Sequence, residues 1–337
     1  MKAIILIGGL GTRLRPLTCG TPKPLLPVLN KPFILYQIEL LKKYGINEIV
    51  FCLAYLSEEF KRFFGTGKKY GIKIHYAIEK SPLGTGGAIR NAAKFIDSSA
   101  LIMNGDVFSY VNLKDLVNFH KRNNAKATIT LVKVPDPCHY GLVETASDGR
   151  IKRFLEKPSV DEITCDTINA GVYLFEPEIF DKIPGDTVYS VERGLFPKLL
   201  EEKSRFYAYI YSDYWIDIGT TEKYLKVHRD LMERFALKTP DKIGKGVEVN
   251  GRVITGKNVK IGSFTRISGF VCLGDNVRVG KGCSLSDCVV RNGSRISDNC
   301  DVKTALIGQG CVIENNVTIN PGCAIGDGTV IRKYSKV

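Results

Sequence analysis

The chain has 337 residues, 44% hydrophobic and 25% charged, a length that suits two domains and a composition ordinary for a soluble globular protein. No apolar run approaches the roughly 18 residues of a membrane span, and Met1-Lys2 leads straight into a short strand without signal-peptide features, so a cytoplasmic protein is expected. The net charge of +13 divides as +7 up to residue 240 and +6 beyond it, with no run of five or six basic residues; such an even excess suits acidic small substrates and speaks against a nucleic-acid partner.

The first element is an apolar run, Ala3 to Ile7, read as a buried strand. The chain then turns through Gly8-Gly9-Leu10-Gly11-Thr12 and delivers Arg13, Arg15 and, after Pro22, Lys23. Glycines lack Cβ, so backbone N–H groups there can approach an anion, and fixed cations close behind suit a polyphosphate. The spacing fits neither Gly-x4-Gly-Lys-Ser/Thr nor a dinucleotide fingerprint, because no Lys-Ser/Thr closes the loop and the next strand ends without an acid. Taken alone, a glycine turn after a strand is only a turn. The whole string, Gly-Gly-x-Gly-Thr-Arg-Leu-x-Pro-Leu-Thr followed by Pro22-Lys23-Pro24-Leu25, resembles the entry motif of the sugar-phosphate nucleotidyltransferases, also called nucleotide-sugar pyrophosphorylases.

Helical spacing predicts a helix over Phe33 to Lys43, then a strand at Glu48 to Ala54, a helix at Ser57 to Phe64 and a strand at Ile72 to Ile78. Strands alternating with helices predict a mostly parallel sheet whose ligands sit beyond the carboxyl ends of the strands. Glu79-Lys80-Ser81-Pro82-Leu83-Gly84-Thr85-Gly86-Gly87 follows, with a helix expected from Ala88. By itself this is a glycine-rich helix cap. In the family the loop holds the nucleobase, and Pro-Leu-Gly-Thr-Gly-Gly resembles the guanylyltransferase branch. Ala100 to Met103 is the next strand and ends in Asn104-Gly105-Asp106. A lone Asp there is commonly a turn cap; the resemblance makes Asp106 a ligand of Mg²⁺, which takes few protein oxygens and keeps phosphate and water.

After a strand at Ala127 to Val134, Tyr140-Gly141-Leu142-Val143 resembles the family's sugar-pocket strand. Phe154-Leu155-Glu156-Lys157-Pro158 and Asn169-Ala170-Gly171 resemble its sugar-binding segments, and Asp217 in Trp215-Ile216-Asp217 resembles its second metal aspartate. Histidine as a residue type invites a catalytic reading of His139, but in the family the attacking sugar phosphate is already an anion and needs no general base. Trp215 is expected to pack beneath the site.

A helix is expected from Tyr224 to Leu237, with a boundary at Pro240. Beyond it an aliphatic residue recurs every six positions: Ile261, Ile267, Leu273, Val279, Leu285, then Val290, Ile296, Val302, then Ile307, Ile313, Ile319, Ile325, Ile331, with a five-residue step between the three runs. The positions two before these are small or β-branched, which suits the narrow core of a β-helix. Five of the six late cysteines fall on that second column; Cys272 does not. Without a Cys-x-x-Cys pair, reduced thiols are expected. The pattern resembles the hexapeptide-repeat left-handed parallel β-helix, and no histidine lies in it, which argues against acyl transfer.

The resemblance covers essentially the whole chain and implies an α/β fold: a Rossmann-like nucleotidyltransferase domain with a mostly parallel sheet at 1–223, a helical linker at 224–240 and a left-handed parallel β-helix at 241–337. It implies transfer of a nucleotidyl group from GTP to a sugar 1-phosphate, with mannose 1-phosphate expected first, and release of pyrophosphate. Arg13, Lys23, Asp106 and Asp217 would be catalytic, the aspartates through Mg²⁺. Gly8, Gly9, Gly11, Thr12, Leu83, Gly84, Thr85, Gly86, Gly87 and Asn104 would hold the nucleotide. Gly141, Glu156, Lys157 and Asn169 would hold the sugar phosphate. A homo-oligomer is expected, and the β-helix would serve scaffolding, oligomer contacts or regulation. Glucose 1-phosphate with dTTP or UTP, a heptose phosphate with GTP, and a non-catalytic regulatory subunit are the rival readings.

Overall fold

Strands β1 (Lys2–Ile7), β2 (Glu48–Leu53), β3 (Lys73–Ile78) and β4 (Ala100–Asn104) form a parallel half-sheet in the order β3-β2-β1-β4, in a computed structural model that describes residues 1–235 and 244–337. The crossovers are helices α1 (Ile34–Lys43), α2 (Ser57–Phe64) and α3 (Gly84–Ala92). β1, β2 and β4 are continuous apolar runs because both faces of a parallel sheet are covered. The sheet is not parallel throughout. β5 (Val107–Ser109) leaves it, and after α4 (Leu113–Arg122) come β6 (Ala127–Lys133), β7 (Gly141–Thr145), β8 (Ile151–Glu156) and β9 (Thr167–Phe175). β9 runs antiparallel to β4, β6 and β7, and extends the sheet on the β4 side. β10 (Phe206–Ile210) closes that edge parallel to β6, and β11 (Trp215–Asp217) pairs with β5.

The chain forms two compact units that are not divided by a single boundary at residue 223. One unit is Met1–Gly9 with Ile34–Asp217; the other is Leu10–Phe33 with Ile218–Val337. The arm that carries Arg13 and Lys23 is therefore built with the C-terminal coils. The physical reason is a set of contacts that periodicity does not encode. The Tyr224 hydroxyl, from helix α5 (Thr221–Arg234), donates to the Pro27 carbonyl, and the Asn30 amide donates to the Leu273 carbonyl at 2.8 Å. The expected helix end at Leu237 and the boundary at Pro240 lie outside the described residues.

The second unit is a parallel β-helix. Ile261 pairs with Val279, Val279 with Ile296, Ile296 with Ile313, and Ile313 with Ile331. The two five-residue steps shorten one corner, where Gly269, Asp287 and Thr304 take positive φ. Inward positions of the middle coils are buried, Thr265 and Ser294 included, because their hydroxyls donate to the Gly280 and Gly308 carbonyls, while Val259, Ile261, Cys323 and Thr329 in the outer coils are half-buried. Cys272 points outward yet is fully buried, and its thiol donates to Asn30 Oδ1 at 3.3 Å. The odd cysteine thus marks where the arm covers the coils.

His228 on α5 is fully buried, with Nδ1 accepting from the Leu29 amide and Nε2 without a partner among the described residues. Burial pushes its pKa down from 6.5 to about 3. A histidine held below its unfolded value contributes stability that is complete above pH 6.5 and is lost as pH falls toward 3, at up to about 1.4 kcal/mol per pH unit. Denaturation midpoints should fall between pH 7 and pH 5 in the native chain and less so in His228→Phe. Parallel profiles would show that another group sets the acid limb.

Candidate active site

The Asn104-Gly105-Asp106 turn is positioned by β1. The Gly105 amide donates to the Leu6 carbonyl at 2.9 Å, and a Cβ at Gly105 would lie 2.6 Å from that oxygen, so the close approach demands glycine. Asp106 stands just beyond the carboxyl end of β4. The antiparallel pairing of β5 with β11 sets Asp217 opposite Val107, the residue after Asp106. Asp106, in the turn before this ladder, and Asp217, at its end, thus come from segments remote in sequence that meet at one end of the β5–β11 pair. Gln37, from α1, clamps the turn by donating to the Asn104 and Val107 carbonyls at 2.8 and 2.7 Å. The Tyr140 hydroxyl donates to Asp217 Oδ1 at 2.9 Å. Trp215 packs edge-on against Tyr140 and ties its indole N–H to the Ala170 carbonyl at 2.9 Å. No group of three or more potential ligands occurs among the described residues. Two hard carboxylates fit a divalent cation that takes its other ligands from phosphate and water.

The expected sugar elements lie together in the same unit. β7 and β8 pair with Glu156 opposite Gly141, and a Cβ at Gly141 would lie 3.1 Å from Glu156 Oε2 and 2.6 Å from the Phe154 ring. Lys157 adopts φ +54° and donates its amide to the Tyr140 carbonyl at 2.9 Å. Asn169 sits where β9 departs from regular pairing with β6; its amide nitrogen donates to the Tyr173 hydroxyl, and its oxygen accepts from the Gly171 amide, both at 3.0 Å. These bonds fix the Asn169 side chain. Burial, with the Glu192 charge nearby, raises the pKa of Glu156.

The helix that follows the loop after β3 begins earlier than expected. α3 begins at Gly84, four residues before the predicted start at Ala88, because the glycines form its first turn. Helix N-termini leave unpaired amides, and those of Gly86 and Gly87 both donate to the Tyr189 carbonyl, at 2.8 and 3.2 Å. A Cβ at Gly84, at φ +72°, would lie 2.7 Å from the same oxygen. The Thr85 hydroxyl donates to Glu192 at 2.8 Å and accepts from the Val191 amide. The chain itself therefore occupies the amides of Gly86 and Gly87 and the hydroxyl of Thr85.

Sequence reasoning passed over Glu79. It is buried, accepts from the Leu83 amide through Oε2 at 2.8 Å, and leaves Oε1 without a partner among the described residues. A Cβ at Gly8 would lie 3.5 Å from that oxygen, so Glu79 faces the opening of the N-terminal glycine loop. Burial raises its pKa. The only signal in the sequence was an acid directly after an apolar strand. Gln37 had no signal, since a polar residue on a helix is usually solvated.

In the other unit, Gly11 takes φ +62° ahead of a turn at Thr12–Leu14, and the Thr18 hydroxyl donates to its carbonyl at 2.8 Å. A Cβ at Gly11 would touch Lys23 Cβ at 3.4 Å, so the loop of Gly11, Thr12 and Arg13 and the turn that starts at Lys23 are neighbours. Arg13 and Arg15 are exposed, and Lys23 is half-buried.

A family model described as Nucleotidyl transferase matches residues 2–234, and one described as EIF2B subunit epsilon LbH domain, a left-handed β-helix, matches residues 238–337. A Mycobacterium tuberculosis protein named mannose-1-phosphate guanylyltransferase is 40% identical over 238 residues, covering 70% of this chain and 66% of that protein. Mannose-1-phosphate guanylyltransferase 1 of Arabidopsis thaliana is 37% identical over 316 residues, covering 91% of this chain and 86% of its own length. Among solved structures, HddC from Yersinia pseudotuberculosis complexed with GMP-PN superposes with a TM-score of 0.59 at 31% identity, covering 68% of this chain and 99% of that chain.

Proposed function

We propose that this chain, which belongs to the nucleotidyl transferase family, transfers a guanylyl group from GTP to mannose 1-phosphate. Nucleotidyl transfer is the chemistry of the family; the substrate pair is our reading. The observation that carries guanine is Glu79. Its partnerless, buried Oε1 and the neighbouring Oε2 present acceptors, and guanine alone among the bases offers adjacent N1–H and N2–H donors to a carboxylate. Thymine, uracil and adenine would each set an acceptor against it. Relatives named for guanylyl transfer and a related structure with GMP-PN support the same base. Mannose rests on the names of those relatives.

The base lies against Leu83 beside Glu79, with Gly84 to Gly87 as the floor beneath it, and the triphosphate runs over Gly8, Gly9, Gly11 and Thr12, near Asn104. The sugar sits along Gly141, with its hydroxyls on Glu156 and Asn169 and its phosphate facing Lys157. A phosphate oxygen of the sugar attacks the α-phosphorus in line. The new P–O bond forms as the bond from the α-phosphorus to the bridging oxygen breaks, and pyrophosphate leaves with that electron pair. No proton is transferred. Arg13 and Lys23 stabilise charge on the transferring phosphoryl group, by position rather than covalent chemistry. Mg²⁺ on Asp106 and Asp217, when bound, supplies further charge compensation at the phosphates.

The test is pyrophosphate release across GTP, dTTP, UTP, ATP and CTP, each paired with mannose, glucose and N-acetylglucosamine 1-phosphates, with Mg²⁺. GTP with mannose 1-phosphate should dominate. A dominant dTTP or UTP signal with glucose 1-phosphate would overturn the substrate assignment and leave the reaction class. Silence from folded protein in every combination would overturn catalysis itself.

A further inference from the structure

On one corner of the β-helix a column of glycines is interrupted by a single residue. After the aliphatic position on one corner the column reads Gly256, Gly274, Arg291, Gly308 and Gly326, joined coil to coil by ladder hydrogen bonds. Among the described residues of this column Arg291 alone is not glycine. It is only 7% exposed. Its Nη1 donates to Asp327 Oδ1 at 2.9 Å, and its Nη2 donates to Thr21 Oγ1 at 3.3 Å. Asp327 Oδ1 also accepts from the Gln309 amide at 2.8 Å, so the guanidinium is held by a fixed acceptor.

Thr21 lies two residues before Lys23, on the arm whose Gly11 and Lys23 are neighbours. On the same corner, a Cβ at Gly326 would lie 3.1 Å from Pro16 Cβ, so the arm also rests on that glycine. We infer that Arg291 is a positioning residue for the nucleotidyl transfer: its Asp327-anchored guanidinium pins Thr21 and thereby the placement of Lys23 and Arg13. The β-helix then serves the reaction within a single chain, as the platform of the cationic arm. This inference rests on the proposed role of Arg13 and Lys23 at the transferring phosphoryl group. A planar guanidinium spans a carboxylate and a hydroxyl in one fixed fork, which an ammonium does not reproduce.

The experiment uses the full chain and two variants that cut the same bond from opposite ends. Arg291→Gly restores the column's own residue, so the coils should keep their stacking, and the Asp327 carboxylate left behind is partly solvated. Thr21→Val leaves the β-helix untouched. Each should lower kcat about tenfold or more, since small misplacement of a catalytic group is costly, while the KM values for GTP and mannose 1-phosphate stay within about twofold. The double variant should be no worse than the poorer single one, as expected for two residues acting through one contact. Hydrogen exchange supplies a readout independent of substrate: amides of residues 10–26 should exchange faster in both variants, and those of 306–337 should not change.

Normal kcat in either single variant, or unchanged exchange over 10–26, would overturn the inference. So would loosening of 306–337 together with the arm in Arg291→Gly, which would make Arg291 a general scaffold residue. If the native chain turns over no substrate pair, the proposed function falls, while the exchange comparison still decides whether Arg291 holds the arm.

Discussion

Arg13→Ala is expected to lower turnover at least about 10²-fold, the cost typical of removing one preorganised donor to a developing anion. In-line attack by one phosphate on another brings two anions together, and the five-coordinate arrangement spreads negative charge over the equatorial oxygens. Arg13 is an exposed cation on the turn that follows Gly11 at φ +62°, a conformation that favours glycine and sets the direction of the next residues. A planar guanidinium can donate to two oxygens at once where an ammonium acts as a point charge, so Arg13→Lys should recover only part of the loss. Because Arg13 is solvent-exposed, the alanine variant should unfold at the same temperature as the native chain. Steady-state pyrophosphate release at saturating substrates is the measurement, and near-normal turnover in Arg13→Ala would remove this residue from the mechanism.

Glu79→Gln should cut the preference for GTP over dTTP about 10- to 100-fold, because a good bidentate pair with a base edge is worth about 1–3 kcal/mol of discrimination. The glutamine keeps the size of the side chain and replaces one acceptor by a donor that faces guanine's own donors. The pH dependence follows from the same group. Burial raises the Glu79 pKa, so kcat/KM for GTP in the native chain should fall as acidification protonates the carboxylate, and the glutamine variant should lack that limb. Stability moves the other way. A carboxyl whose folded pKa is raised contributes stability that is complete below its unfolded value and is lost as pH rises through the folded value. At neutral pH the native chain therefore carries a buried charge that Glu79→Gln removes, and the variant should melt higher than the native protein. A lower melting temperature with unchanged base preference would assign Glu79 a purely structural role.

Much of the fold was legible in the sequence because its elements have strong periods. α2 has the predicted limits, and α1, β2 and β3 are each shorter by one residue at a single end. The start of α3 was misjudged because glycine is a poor helix former; here remote acceptors on Tyr189 hold the first turn in place. The antiparallel half of the sheet was not legible, since β6 and β9 are as apolar as parallel strands once both faces are covered.

The motifs by themselves determined the family and the repeat and singled out the two aspartates as candidates, because each is a local string whose spacing maps onto a local conformation. The tertiary structure alone decided the rest. It set Asp217 opposite Val107, the residue after Asp106, gave Gln37 to the turn that carries Asp106 and Tyr140 to Asp217, turned Glu79 into a buried acceptor, and joined the cationic arm to the β-helix through Asn30, Cys272 and Arg291. These are contacts between residues tens to hundreds of positions apart. A long-range hydrogen bond leaves no period in the chain, and a buried polar side chain reads the same as a solvated one until its neighbours are in place.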